Sequence, residues 1–459
     1  MAVSVSRFFD ELRKKRVVFI GVGVSHTRLI EKFLEKGIGV TVCDKRSAEQ
    51  MGETYESLLK QGAKFRLGEG YLEALDDADV IFRTPGMYFN SPALSEARKK
   101  GKVVTSEMEC FFDLCPCRIY AVTGSDGKTT TTTLLAEMLR AAGKTVWVGG
   151  NIGKPLLPEV GRMAPSDWAV VELSSFQLMT MERSADIAVV TNVAPNHLDV
   201  HKSMEEYIAA KENVYLHQSP SGKLVVNMDN AITHSFVGKA KGRVEEFSRF
   251  GIPENGVHLQ DGTIYRNGKK IMDAADIRIP GVHNIENYMA AACAVEGFAS
   301  DADIDAVARS FGGVEHRIEL VRELDGVRYY NDSIASSPTR TIAGLHSFDR
   351  RVILIAGGYD KHIPFDALGP EVCAHVKLLI LCGATADKIR AAVEGAPKYA
   401  KGQPEIVTVQ SLSDAVELAH TRAQRGDIVT LSPACAAFDQ FKNFMVRGES
   451  YKRMVAALK

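Results

Sequence analysis

Residues Ile119–Leu135 read I-Y-A-V-T-G-S-D-G-K-T-T-T-T-T-L-L. The β-branched and apolar run Ile119–Val122 is a buried-strand pattern, and a helical pattern begins at Leu134–Ala142. Between them lie two glycines, a lysine and a comb of hydroxyls. A strand that feeds a Gly-rich turn at a helix N-terminus leaves backbone N–H groups unpaired at the positive end of a dipole, which is an anion site. Gly124 and Gly127 let the chain curl around phosphates. Lys128 brings a point charge to the β- and γ-phosphates, and Thr129 offers a hydroxyl to Mg²⁺. Only two residues separate Gly124 from Gly127-Lys128-Thr129, so the loop is a shortened variant of the usual P-loop. A chance Gly-Lys-Thr in a helix cap would leave the strand before it and the helix after it without a purpose. The stretch predicts an ATP-type triphosphate site in an α/β fold.

A chain of 459 residues is too long for one core, and about 150 residues per domain suggests three. Turn-rich breaks at Cys115-Pro116-Cys117 and Phe311-Gly312-Gly313 divide it into 1–117, 118–313 and 314–459. The net charge of −1 argues against a polyanion-binding surface, so nucleic acid is not an expected partner. The eight cysteines lack metal-site spacing and read as reduced thiols. No uncharged apolar run approaches about 18 residues, so no membrane span is expected. Asp10, Glu11 and a basic cluster precede the first apolar run, unlike a signal peptide. The expectation is a soluble, cytoplasmic protein.

In the first domain the strand Arg16–Gly21 leads through Gly21-Val22-Gly23-Val24-Ser25-His26 into a helix, Thr27–Lys36. A second strand, Val40–Cys43, ends in Asp44. This is the dinucleotide-binding βαβ arrangement, with His26 in place of the third glycine and basic Lys45-Arg46 after the acid. It is compatible with a nucleotide-like ligand or with plain turn chemistry. The strand Asp79–Arg83 runs into Thr84-Pro85-Gly86, another turn where ligands sit in open α/β sheets.

In the middle domain Gly149-Gly150-Asn151-Ile152-Gly153 follows the strand Thr145–Val148. The strand Trp168–Leu173 carries Glu172 near its end, suited to Mg²⁺ beside a phosphate loop. The strand Ile187–Val193 leads to Asn196-His197-Leu198-Asp199, where His197 is placed as a ligand. Lys211, on the helix Met204–His217, reads from its spacing as a surface lysine. Asn284 and Asn287, at i and i+3, open the helix Tyr288–Gly297 and suit base recognition or capping. In the third domain the strands Arg351–Ala356, Lys377–Cys382 and Asp427–Leu431 interleave with helices, and Gly357–Lys361 and Ser432–Cys435 each sit just past a strand.

Together these motifs resemble the Mur ligase family over essentially the whole chain. The specific parts are Gly124–Thr130, Gly149–Gly153, Glu172–Gln177, Asn196–Asp199, Tyr207–Lys211, Gly281–Asn287 and His316-Arg317. The run Leu431–Phe444 is most similar to the members that add D-glutamate to UDP-N-acetylmuramoyl-L-alanine. The resemblance implies three domains: a Rossmann-like UDP-sugar-binding sheet, a central P-loop ATPase-like domain and a Rossmann-like amino-acid-binding domain. It also implies ATP-driven amide formation, in cytoplasmic peptidoglycan precursor synthesis, by a monomer. The substrate carboxylate would attack the γ-phosphate, and the D-glutamate amine would then displace phosphate from the acyl phosphate.

Residue roles follow from the same resemblance. Gly124, Ser125, Asp126, Gly127, Lys128, Thr129 and Thr130 would hold the phosphates of ATP, with Asn284, Asn287, Arg317 and Asp332 holding its other parts and Arg317 reaching in by domain closure. Thr129 and Glu172 would bind one Mg²⁺, and His197 and Lys211 a second, Lys211 as a carbamate because an ammonium cannot coordinate a cation. Lys128, Glu172, His197 and Lys211 would be catalytic. Val24, Ser25, Asp44, Lys45, Arg46, Thr84, Gly86, Asn151, Ser174 and His197 would contact the UDP-sugar substrate. Ser336 and Lys361 would clamp the D-glutamate α-carboxylate, with Phe438 and Phe444 around its side chain. Ile334, where the family often has lysine, and Ala437, where a serine is expected, depart from the pattern in the amino-acid pocket, as His26 and Lys45 do near the UDP. A folylpolyglutamate-type relative would lack the first domain. An NAD-dependent oxidoreductase would leave Lys128, Glu172 and Lys211 unexplained, and an ATPase-like scaffold would lack an amino-acid pocket.

Overall fold

Short β-branched runs flanked by amphipathic helices pair mostly in parallel, and they form three sheets in the computed structural model, which describes residues 4–195, 201–400 and 402–459. The first sheet runs, in spatial order, Lys64–Leu67, Val40–Asp44, Val17–Ile20, Val80–Phe82 and Val103–Thr105, all parallel. Val17–Ile20 and Val80–Phe82 are buried at each residue, as central strands covered on both faces must be. The strand order reverses at Val17–Ile20, which puts a crevice at the Gly21–Gly23 turn.

The second sheet is built around Arg118–Thr123, which lies between Trp168–Glu172 and Ile187–Val190. Val146–Gly150 forms one edge. Lys223–Asn227, Arg243–Ser248 and Gly256–Gln260 continue the parallel run, and the antiparallel strands Thr263–Arg266 and Lys269–Asp273 close the other side. Here too the order switches at the strand that feeds the phosphate loop. The third sheet runs Glu319–Leu324, Val327–Asn331, Ile428–Leu431, Val352–Ala356, Val376–Leu381 and Glu405–Thr408, antiparallel only at its first pair.

The chain forms two compact units, Met1–Ala274 with Glu286–Val307, and Ala275–Ile285 with Ala308–Lys459. The first unit holds two sheets on one apolar cluster. That cluster runs from Phe19, Phe33 and Phe82, through Phe111 and Phe112 of the helix Glu107–Leu114, to Ala121, Ala169 and Val171. No helix among the described residues is long and apolar enough to cross a membrane.

Three helices start earlier than their sequence pattern suggests. The phosphate-loop helix is Lys128–Ala141, so the threonine comb forms its first turns instead of a loop. Of its β-branched residues, Thr133 bonds back, its Oγ1 donating to the Thr129 carbonyl at 2.8 Å. Val24–Glu35 takes Val24 and Ser25 into the helix, and Val282–Ala294 does the same for Asn284 and Asn287. The strand Val146–Gly150 absorbs Gly149 and Gly150, which read as loop residues. The helix Met204–Glu212 stops short of His217.

Candidate functional site

The strand Arg118–Thr123 is buried beyond its first residue, which fixes the position from which the phosphate loop departs. Gly124 has φ 151° and Gly127 φ 77°, where L side chains are strained. A Cβ on Gly124 would also collide with Thr191 Oγ1, and one on Gly127 with Asn287 Oδ1. The loop is pinned from below. The Ser125 amide donates to the Asn192 carbonyl at 2.9 Å, Ser125 Oγ donates to the Ala194 carbonyl at 2.9 Å and meets Tyr207 Oη at 3.1 Å. The Asp126 amide donates to Asn192 Oδ1 at 2.9 Å. Lys128 and Thr130 are half-buried and Asp126 is exposed.

Thr129 Oγ1 donates to Glu172 Oε2 at 2.7 Å, and Asn151 Nδ2 donates to Glu172 Oε1 at 2.7 Å. Glu172 is buried at the end of its strand, and these two hydrogen-bond partners are neutral. A buried carboxylate and a hydroxyl beside a phosphate loop are hard oxygen donors of the kind Mg²⁺ takes. Asn287 Oδ1 accepts from Thr131 Oγ1 at 3.2 Å, bringing the helix Val282–Ala294 onto the phosphate-loop helix.

Lys211 is not the surface residue its spacing suggests. It is buried, and its Nζ donates to the Gly124 carbonyl at 2.8 Å and lies 3.4 Å from Thr123 Oγ1. Lys128 Nζ donates to the same Gly124 carbonyl at 3.0 Å and to that of Ser125 at 2.9 Å. Burial, and then the charge of Lys128, push the Lys211 amine down to about 7, against the pull of Asp126 and Glu172. His197 lies outside the described residues.

A cleft of about 280 Å³ opens between the C-terminal ends of the first two sheets, lined by Gly23, His26, Arg83, Thr84, Asn151 and Gln177 among others. Of the residues expected to meet a UDP-sugar, Thr84 and Asn151 line it. Asp44 and Arg46 bind one another, at 2.7 Å and 3.0 Å, and the Asp44 carboxylate also accepts from the Val22 amide. Burial raises the Asp44 pKa, but the Arg46 and Val22 bonds outweigh it and hold the group below its usual range. Lys45 and Gly86 are exposed, and Ser174 caps the short helix Ser175–Leu178 in a capping box with Gln177. The backbone of Val24 and Ser25 forms the first turn of the helix after Gly23.

In the second unit Asn284 Nδ2 donates to the Pro280 carbonyl at 2.6 Å. Arg317 is exposed beside buried Asp332, whose carboxylate accepts from Ser432 Oγ at 2.7 Å. Burial lifts Asp332 to about 7 against the opposing Ser432 bond and the Arg317 charge. Lys361 and Phe438 are exposed, the latter ring 5.9 Å from Tyr359. Ser336 and Ile334 are half-buried and Ala437 is buried. Phe444, half-buried, opens the last helix, Phe444–Ala457.

Residues 15–106 match the Mur ligase MurD-like N-terminal domain, 122–295 the Mur ligase middle domain, and 316–435 the Mur ligase glutamate ligase domain. A curated relative from Acetivibrio thermocellus is 51% identical over 464 residues, covering 100% of both chains. The chain belongs to the Mur ligase family. That relative, and one from Clostridium beijerinckii at 49% identity over 100% of both chains, are named UDP-N-acetylmuramoylalanine--D-glutamate ligase. The solved UDP-N-acetylmuramate-alanine ligase MurC of Thermotoga maritima shares the fold of this Mur ligase at TM-score 0.58 and 16% identity, over 97% of this chain and 100% of that one.

Two arginines of this Mur ligase were not legible as site residues. Arg83, buried on the cleft wall, donates to the Phe176 carbonyl at 3.1 Å and to Thr180 Oγ1 at 2.8 Å, tying the first sheet to the second. Arg447, buried in the last helix, donates to the carbonyls of Ser333, Cys435 and Ala436 at 3.0–3.1 Å and so fixes the loop after Leu431. The only sequence signal for either was an arginine beside an apolar run.

Proposed function

We propose that this Mur ligase joins D-glutamate to UDP-N-acetylmuramoyl-L-alanine, with ATP cleaved to ADP and phosphate through an acyl phosphate. The observation that carries the reading is the convergence of Lys128, Thr129, Glu172 and Lys211 on one loop at the strand ends of the central sheet. The identity of the acceptor amino acid is taken from the names of the full-length relatives.

In this reading the loop amides and Lys128 hold the β- and γ-phosphates, drawing charge off the phosphoryl group as the substrate carboxylate approaches in line. Thr129 and Glu172 would hold one Mg²⁺, and His197 with a carbamylated Lys211 a second; bound Mg²⁺ supplies charge neutralisation between the two anionic reactants. The depressed Lys211 amine supports carbamylation, because only a free amine adds CO₂ and about half of this one is free near neutral pH. The cleft beside Thr84 and Asn151 would seat the UDP-sugar, with Val24, Ser25, Lys45, Arg46 and Ser174 around it. Asn284, Asn287, Arg317 and Asp332 would hold the nucleoside part of ATP. Ser336, Lys361, Phe438 and Phe444 would hold D-glutamate. We assign the domains as 1–117, 118–313 and 314–459, and the working form as a monomer in the cytoplasm, where its eight free thiols stay reduced.

Phosphate release tests the reading. Release should require ATP, UDP-N-acetylmuramoyl-L-alanine and D-glutamate together, and L-glutamate or diaminopimelate should not substitute. With D-glutamate omitted, hydroxylamine should trap the activated acyl group as a hydroxamate. Equal release with other amino acids would overturn the acceptor assignment, and absence of any hydroxamate would overturn the acyl phosphate.

A further inference from the structure

The third sheet carries a side-chain cluster that the proposed reaction does not use. The helix Pro338–Leu345 is capped at its C-terminus by His346, and the helix Leu368–His375 ends on His375, with Glu371 one turn earlier. Glu371 and His375 are four residues apart and share a helical face. His346 Nε2 lies 2.6 Å from Glu371 Oε2, and His375 Nε2 lies 3.6 Å from the same oxygen. The imidazole centroids are 5.0 Å apart, and the three donor atoms fall within 4.8 Å of one another. All three side chains keep between 32% and 51% of their surface open, so an ion can reach them from water.

We propose that His346, Glu371 and His375 hold a Zn²⁺-type transition-metal ion, with water completing a tetrahedron. Two imidazoles and one carboxylate suit Zn²⁺, whereas Mg²⁺ and Ca²⁺ prefer oxygen alone. Metal–ligand bonds of about 2.0–2.2 Å put neighbouring donors of a tetrahedron roughly 3.3–3.6 Å apart. The observed separations of 2.6 and 3.6 Å reach that spacing with small rotations of exposed side chains. Two helix C-termini meet at the cluster, and their carbonyl ends favour a cation.

The centre is also not filled by a competing side chain. Among the described residues, the basic groups within 4.0 Å of the Glu371 carboxylate are these two imidazoles, with no lysine or arginine beside them. Glu315, His316 and Glu449 make a comparably tight group, but there Lys452 lies 2.8 Å from Glu315 and 3.1 Å from Glu449 and already supplies the positive charge. The cluster sits at the end of the sheet where the strand Val352–Ala356 begins. Arg351 anchors the second helix to that end through the Cys373 and Ala374 carbonyls, at 2.6 and 3.1 Å. The Gly357-Gly358 loop leaves from the opposite end of the same strand. The ion would therefore join two helices away from the residues assigned to ATP and D-glutamate.

The test uses the full chain in excess Mg²⁺, to occupy the sites assigned to Thr129, Glu172, His197 and Lys211. Added Co²⁺ should give the visible d–d absorption of a tetrahedral nitrogen–oxygen site, and Zn²⁺ should displace it at one equivalent. H346A and H375A, both changed at solvent-accessible positions, should weaken Co²⁺ binding by more than the roughly 10–100-fold that loss of an outer partner costs. Circular dichroism of both variants should match the parent. Absence of the tetrahedral spectrum, or a spectrum that survives in both variants, would overturn the site.

Discussion

Replacing Lys211 with methionine should make the ligand-free protein more stable near neutral pH. The amine titrates at about 7 in the fold against an ordinary 10.5. Between those values the unfolded chain carries a proton that the folded chain lacks, so the parent's stability rises with pH by about 1.4 kcal/mol per pH unit. The penalty is full below the folded value and vanishes as pH rises to the unfolded one. Integrated from about pH 7 to about pH 9, the parent should gain about 2 kcal/mol relative to Lys211→Met. Any packing change from the methionine is constant over that range and drops out of the slope. Urea unfolding in CO₂-free buffer measures it, since CO₂ would convert the amine. Both tryptophans, Trp147 and Trp168, lie in neighbouring strands of the same sheet as the phosphate loop, so their fluorescence reports the unit concerned. A stability difference between parent and variant that does not change with pH would refute the account of Lys211 as a buried, discharged amine.

Two further substitutions probe the loop and the acceptor pocket. Gly127→Ala forces a side chain into a left-handed turn at a cost of about 1–2 kcal/mol and pushes on Asn287, so both the melting temperature and the affinity for ATP should fall. An unchanged melting curve would mean that the turn does not need glycine. Lys361→Ala should raise the KM for D-glutamate about 10–100-fold, the worth of a charge-assisted hydrogen bond of about 1.5–3 kcal/mol, with far less effect on the KM for ATP. Equal effects on both would remove Lys361 from the acceptor pocket.

The parts of the site legible in the sequence are those that sit on contiguous chain. Gly124 to Thr129 read as a phosphate loop because the strand, the turn and the helix are consecutive, and Glu172 reads as the acid at the end of an apolar run. Lys211 enters the site only through the family resemblance and not through its spacing, because what it meets is the loop at Thr123 and Gly124, more than eighty residues earlier. Its own neighbourhood, Tyr207-Ile208-Ala209-Ala210, gives no sign of that cover. Arg83 is a similar case, since its partners Phe176 and Thr180 lie in the short helix Ser175–Leu178 and the turn after it, more than ninety residues later. The early start of the phosphate-loop helix was hidden by threonines, which are poor helix formers and are held here by tertiary bonds, Thr129 to Glu172 and Thr131 to Asn287, with Thr133 bonding back to the preceding turn.

The arrangement of the two lysines gives the proposed carbamate a physical basis. Lys128 and Lys211 both donate to the Gly124 carbonyl, and a carbonyl with two lone pairs can accept both. Burial disfavours the Lys211 ammonium most, the neighbouring Lys128 charge adds to that, and the deeper amine gives up its proton first. Once that nitrogen is neutral it can add CO₂, forming an N–C bond and releasing a proton, and the group changes from a would-be cation to an anion. The repulsion with Lys128 then becomes attraction. Without Lys128 the same carbamate would be a buried anion in the field of Glu172, with a cost for the second negative charge. In this proposal Lys128 would act on Lys211 twice, first by adding to the burial that lowers its pKa and then by stabilising the charge that replaces the proton.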